Sequence, residues 1–446
     1  MIVIYIIVLF GFVYFSFKLS KGDCFNLPFL LIAGYFVSAF CCLYNKKNWA
    51  VDLSFYTLII IMVGILSFMI GSAVGDRIIL KHTSNQLHTG NRCVDIYQIV
   101  HAGESYWKLL VVCLFDLAVI YFLYKDIVRI AGIRVVSWGN LFYNFRSNLA
   151  DDSLNVGYSS FVNFGLRVTR PFAYLYAVIL IGNCVDPTVT RRKKVRLFYG
   201  IPILLYAFQV ILQGHRIPLI GLIIAFVFLI YYFKQYNCGW KMKLKVTTAL
   251  RIIVFFSFIC IGFYYVKFFI GKLQESNGVI YYITNYLGGS LQLLDMYLKD
   301  PMDNGHETFA AVVDSLKRFG LFTGVKTVVQ HEYRYASTGI YIGNVYTGFR
   351  NYYNDYGVIG VCFFSAFLGF IFSNFYKHLR KIQNWTINGL FTLILYSSFL
   401  YSVVFHFFTD YFFALIGVGW TINIFIFYLC MQIVFNKRIG ITKHKH

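Results

Sequence analysis

Three arginines, Arg216, Arg334 and Arg350, stand in hydrophilic stretches of a chain that is otherwise mostly apolar. A planar guanidinium fork is the side chain best matched to phosphate oxygens. Near them in sequence are groups that could take a proton from a hydroxyl: Asp355, Glu332, His331 and His215. A third set, Asn344, Tyr346, Thr347 and Tyr353, could grip a sugar through ring faces and hydrogen bonds. Together these residues suit transfer chemistry on a phosphate-bearing, hydroxyl-rich substrate. Each also has a plainer job open to it. Arg216 closes Gly214-His215-Arg216 between two apolar runs, where it either meets a lipid phosphate or snorkels to the interface. Asp355, just ahead of Gly357, also suits a helix N-terminus, and tyrosines also mark membrane interfaces. Arg318 lies in Asp314-Ser315-Leu316-Lys317-Arg318, which reads as a solvated helix face, and Arg167 and Arg170 precede Pro171 on a re-entrant or interfacial helix.

Other chemistries lack their residues. The ten histidines include no HxxxH spacing and the ten cysteines no CxxC pair, so the sequence predicts no metal, no cofactor and no disulfide framework. The net charge of +21 is not a nucleic-acid signature. The stretch from Ile270 to Tyr356 holds seven Lys/Arg against eight Asp/Glu, so the surplus lies in short connections, where it sets topology and attracts anionic lipid heads.

The elements that must position these residues are membrane helices. Hydrophobic residues make up 59% of the chain and charged residues 13%, and the apolar runs are long enough to cross a bilayer. The spans expected are Met1–Phe17, Phe25–Tyr44, Leu53–Val74, Trp107–Tyr124, Pro171–Val185, Leu197–Gln213, Ile217–Phe233, Ile252–Phe269, Gly357–Tyr376, Thr386–Phe405 and Tyr411–Phe435. The fold class is therefore all-α and polytopic, with about 11 (10–12) helices and one large extracytoplasmic loop between the eighth and ninth. The chain divides into N-terminal helices (1–269), that loop (270–356), and C-terminal helices with a tail (357–446). Basic clusters at Arg191–Arg196, Lys234–Arg251, Lys377–Lys381 and Lys437–Lys445 alternate with poorly charged connections, which puts the C-terminus in the cytoplasm. Lys18 and Lys21 favour an outward N-terminus, but the connections of the first half do not settle its topology.

The loop ends as Gly343-Asn344-Val345-Tyr346-Thr347, then Tyr353-Asn354-Asp355-Tyr356-Gly357-Val358-Ile359-Gly360, with Gly369 in the next span. With the bundle, the large outward loop and Arg216 at a helix hairpin, this ending resembles the Wzy-type O-antigen and capsule repeat-unit polymerases. The resemblance covers most of the chain by topology and about twenty-five residues by motif. It implies a bacterial plasma-membrane enzyme that takes oligosaccharides carried on undecaprenyl diphosphate and joins them outside the cell. It also implies a chain-length regulator and a flippase as partners. Two other readings share the substrate: an O-antigen ligase-like transferase, and a flippase or transporter of the same lipid-linked sugar. A transporter would place ionisable groups inside its spans, and here the spans carry few, chiefly Asp116 and Lys267.

Overall fold

The computed structural model describes residues 1–82, 94–132, 138–151, 154, 156–187, 197–242, 261–262, 264–265, 278–302, 305–328 and 330–436. The expected span Ile252–Phe269 lies almost wholly outside these, as do the basic runs at 191–196, 243–251 and 437–445. Among the described residues nine helices are long and apolar enough to cross a membrane. They include α1 (Ile2–Leu19), α2 (Leu27–Tyr44), α3 (Phe55–His82) and α4 (Tyr106–Ala131). An amphipathic helix, α5 (Trp138–Ala150), leads into α6 (Ser160–Val185), which begins well before the expected Pro171. A shorter α7 (Ile201–Leu212) stands in place of the expected sixth span, followed by α8 (Ile217–Asn237).

The largest correction concerns residues 270–356. Sequence pattern reads them as a loop, but 278–356 are folded into the bundle. Helix α9 (Val279–Lys299) packs along α2, with Gly288 so close to the Cys41–Cys42 backbone that an added Cβ would come within 2.5 Å of an amide nitrogen. A short helix α10 (Ala310–Lys317) and a hairpin of β1 (Arg334–Tyr335) and β2 (Tyr341–Gly343) follow. Gly339, at φ +78°, turns the hairpin through the left-handed region that glycine enters without strain.

The ninth expected span also starts early. Helix α11 (Phe349–Lys381) begins eight residues before Gly357 and breaks there, at φ 60° and ψ −150°, a conformation open only to glycine. The break separates 349–356 from the long remainder of the helix. Its lower part packs backbone-to-backbone against α3: a Cβ on Gly71 would sit 1.9 Å from the Ala366 carbonyl oxygen, and one on Gly369 2.2 Å from that of Phe68. Small residues let membrane helices approach this closely, because lipid gives no hydrophobic drive to hold them together. Helix α12 (Ile387–Phe399) continues through Tyr401–Val404, and α13 (Val418–Phe435) closes the chain, starting later than the expected Tyr411.

Contacts sort the helix termini into two ends. At one, Ser54 bonds Asp295, Lys299 reaches Asp52, Thr338 reaches Asn48 and Tyr56 meets Tyr353. At the other, Asp23 meets Tyr231, Tyr376 and Arg380, Asp76 meets Lys377, and Lys108 caps the Val434 and Asn436 carbonyls. The first and second halves are thereby placed in one frame: the N-terminus shares its end with residues 278–356, and the last helix finishes at the opposite end.

Candidate functional site

Most of the residues singled out in the sequence converge at the end of the bundle that carries α9 and the hairpin. Arg350, in the first turn of α11, is completely buried. Its Nη2 donates to Glu307 at 3.1 Å and to Glu332 at 2.6 Å. The guanidinium lies between the rings of Tyr297 and Tyr346, at 4.3 and 3.8 Å from their centroids. Glu332 also accepts from Tyr346 Oη at 2.9 Å and from Arg334 Nε at 3.1 Å. Burial pushes the Glu332 carboxyl up, but the hydrogen bond and charge of Arg350 outweigh it and hold the group below the ordinary glutamate value. It stays ionised. His331 Nδ1 lies 3.4 Å from Glu307, and the His331 carbonyl accepts from Asn344 at 3.5 Å.

This arrangement separates the candidates by what they are free to do. Arg350 has two carboxylates on its Nη2 and two rings on its faces, while its Nε and Nη1 are buried without a hydrogen-bond partner. Arg334 is also committed: besides Glu332 it donates to the Met296 and Asp300 carbonyls at 2.9 and 2.7 Å, capping the C-terminus of α9. Asp355 is buried, and its carboxylate accepts from the Glu307 and Thr308 amides and from Asn354. That geometry gives it a holding role, fixing the chain that leads into α10. Tyr346 and Thr347 are fully buried, so they build the cluster rather than face a ligand. Tyr353 is partly open and shares a 2.9 Å hydrogen bond with Tyr56. Of the proposed proton acceptors, only Glu332 and His331 belong to the cluster and keep partial contact with its surface, at 15% and 10% side-chain exposure.

Arg216 and His215 lie elsewhere on the same end. Arg216 donates to Tyr282 Oη and faces the rings of Tyr282 and Tyr286 at 5.7 and 5.8 Å. Arg146 of α5 stands near enough for burial, and then Arg216, to lower its pKa. Burial first and Arg146 second keep His215 below its ordinary value, hence neutral. The structure thus does not join the His215–Arg216 pair to the Arg350 cluster. No family model, no curated protein and no solved structure matches this chain. The site therefore stands on its own geometry.

Sequence reasoning passed over Glu307, whose buried carboxylate is the second partner of Arg350. Its signal was weak, a lone acid in Gly305-His306-Glu307-Thr308. Tyr333, Tyr335 and Tyr341, which the sequence offers as sugar-gripping rings among the eleven tyrosines of 270–356, form a strip. Tyr341 packs against Tyr333 and Tyr335, with centroids 5.9 and 5.4 Å apart, and all three are more than two-fifths exposed. Among the described residues no three His, Cys, Asp or Glu side chains form a metal-holding group.

Proposed function

We propose that the protein is a polymerase of lipid-linked oligosaccharide repeat units, of the Wzy type that its loop ending resembles. In this reading it is a bacterial plasma-membrane protein of about eleven spans. The end carrying α9 and the hairpin faces outward, and the C-terminus is cytoplasmic. Supporting the orientation, described basic residues such as Lys234, Lys377, Arg380 and Lys381 lie at the opposite end. The substrate is an oligosaccharide on undecaprenyl diphosphate. The glycosyl–phosphate bond breaks with the electron pair leaving on phosphate, a new bond forms to a sugar hydroxyl, and the hydroxyl proton passes to a base.

One observation carries this reading: a partly exposed carboxylate held ionised, Glu332, is followed directly by an exposed tyrosine strip on a hairpin clamped to a membrane bundle. Tyrosine faces suit the apolar faces of sugar rings, and a fixed carboxylate suits an acceptor hydroxyl. Glu332 is the base, with His331 beside it, while Tyr333, Tyr335 and Tyr341 hold sugar. Arg350 and Glu307 position Glu332 without touching substrate. The ligase-like alternative uses the same surface with a different acceptor.

The test is purified protein in nanodiscs, supplied with polyprenyl-diphosphate-linked oligosaccharide. Wild type should yield a ladder of integer repeat units and Glu332→Gln none, with both proteins equally folded. Transfer of single units to another acceptor with no ladder would select the ligase reading. An unchanged ladder from Glu332→Gln would remove Glu332 as the base.

A further inference from the structure

A carboxyl in the middle of the bundle has nothing to answer it. Among the described residues, Asp116 of α4 is fully buried, and neither of its side-chain oxygens meets a hydrogen-bond donor or a cation. The other buried acids there all have partners: Asp126 has Arg129 and the Ser159 amide, Asp186 has His101, Asp295 has Thr57 and Lys299, Glu307 has Arg350, and Asp410 has three backbone amides. Depth makes the exception costly. Asp116 stands about 15 Å from the start of α4 and about 22 Å from its end, at the helical rise of about 1.5 Å per residue, near the middle of a helix long enough to span a bilayer. A lone ionised carboxylate is the most expensive state for this place.

Its surroundings form a polar layer between two apolar cores. Thr169 of α6 donates to Gln209 Oε1 of α7 at 2.7 Å, and Gln209 Nε2 donates to the Asp116 backbone carbonyl at 3.3 Å; all three residues are fully buried. Toward the start of α4, Leu109 and Val112 belong to the main core of the bundle. Toward its end, Leu123, Ile127 and Ile130 belong to a separate cluster with Leu141, Phe142 and Phe145 of α5 and Leu212 of α7. The titratable groups facing Asp116 are Cys113 on its own helix and Tyr176 on α6, behind which Tyr199 stacks at 6.1 Å between centroids. Tyr176 Oη is buried without a hydrogen-bond partner as well. α7 presents Gln209, and α5 packs on α4 through apolar side chains farther along. Arg170, beside Thr169, is engaged by Tyr174 and Tyr401. A metal cation would need several oxygens around it, and those of Thr169 and Gln209 are spent on each other. A proton needs only the carboxyl.

We propose that Asp116 is a proton-binding site, and that the proton it carries is the condition for docking the α4–α5 cluster onto the rest of the bundle. With the proton on, the layer is neutral and the two apolar cores meet across it. With the proton off, a bare carboxylate faces no cation, and water must answer it. The layer admits water only if the end of α4 and α5 part from α6 and α7. Alkali therefore loosens this corner and acid closes it. The corner includes Arg146 of α5, which stands near Arg216 and His215, so the proton also sets whether those basic groups are held together. None of this depends on the polymerase reading.

The experiment uses the purified full chain in nanodiscs. Infrared difference spectra of wild type against Asp116→Asn, taken at about pH 6, should show the carbonyl stretch of one protonated carboxylic acid, unchanged when sodium replaces potassium. Hydrogen exchange of residues 138–150, corrected for intrinsic chemistry, should quicken about tenfold between about pH 6 and about pH 9 in wild type and stay within about twofold in Asp116→Asn. Exchange of α9, which packs elsewhere, should be the same in both proteins. A carboxylate band in place of the acid band would overturn the proton site. An acid band abolished by sodium would give the place to a metal ion and overturn it too. Equal alkaline exchange in the two proteins would overturn the docking role. Should Asp116→Asn fail to fold, Asp116→Ser replaces it in both measurements, and a wild-type exchange profile flat with pH would overturn the docking role by itself.

Discussion

The molecule carries two concentrations of arginine on the same end, and they are held differently. Around Arg350 two carboxylates and two aromatic faces surround one guanidinium, with Arg334 also on Glu332, and its Nε and Nη1 are buried without a hydrogen-bond partner. In a cavity between α6, α10 and α13, Arg167 and Arg318 are exposed, and Arg170 hydrogen-bonds Tyr174 and Tyr401. A buried charge paired from within holds a shape and is costly to strip of its partner, whereas an exposed guanidinium is answered by water. The difference separates arginines that look equally promising in the sequence: Arg350 is a keystone, and Arg167 and Arg318 are not.

The sharpest way to break this comparison is to empty each region in turn. Arg350→Ala leaves the buried Glu307 and the half-buried Glu332 without their shared cation, and removing one partner of a buried pair costs roughly 3–5 kcal/mol. We expect the variant to be lost from the membrane or to melt far below wild type; a well-folded Arg350→Ala protein would undo the keystone assignment. Next in size, Glu332→Gln should abolish turnover while keeping most of the stability, read as product ladder against melting temperature. Arg318→Ala should do the reverse of Arg350→Ala and keep the melting temperature, because the residue is exposed. Smaller again is Tyr341→Ala. It should raise KM for oligosaccharide donors several times with little change in kcat, because it removes a ring face and no reacting group.

Acid should touch one region more than the other. The Glu332 carboxyl titrates below its ordinary value in the folded chain. Its stabilisation is therefore complete above the unfolded value near 4.5 and is lost as pH falls through the lower folded value. Guanidinium groups do not titrate in that range. Thermal melts followed below about pH 4.5 should fall in wild type and flatten in Glu332→Gln. A Glu332→Gln protein with the same acid profile as wild type would remove Glu332 from the linkage.

The two regions also differ in how legible they were. Spans such as Ile217–Asn237 are plain in hydropathy because lipid demands a continuous apolar run. The helix Val279–Lys299 was not, because it is packed against protein rather than lipid. It keeps Gln292, Asp295 and Lys299 among its apolar residues and so reads as a polar loop. Asp355 looks like a proton acceptor and Arg350 like a phosphate ligand in one dimension, and only the fold shows their partners, Glu307 forty-odd residues upstream among them. Gly357 and Gly360 enter the sequence reading only as part of the loop ending; the fold gives them a kink and a close approach to the Tyr352 carbonyl. Arg318, read as part of a solvated helix face, is exposed at the end of α10.

The most direct trial of the whole account is a paired measurement on Arg350→Ala and Glu332→Gln in nanodiscs: melting temperature and product ladder on the same samples. The account predicts that the first variant loses stability and the second loses turnover alone. A second variant that still makes a ladder, or a first that stays fully stable, would contradict it.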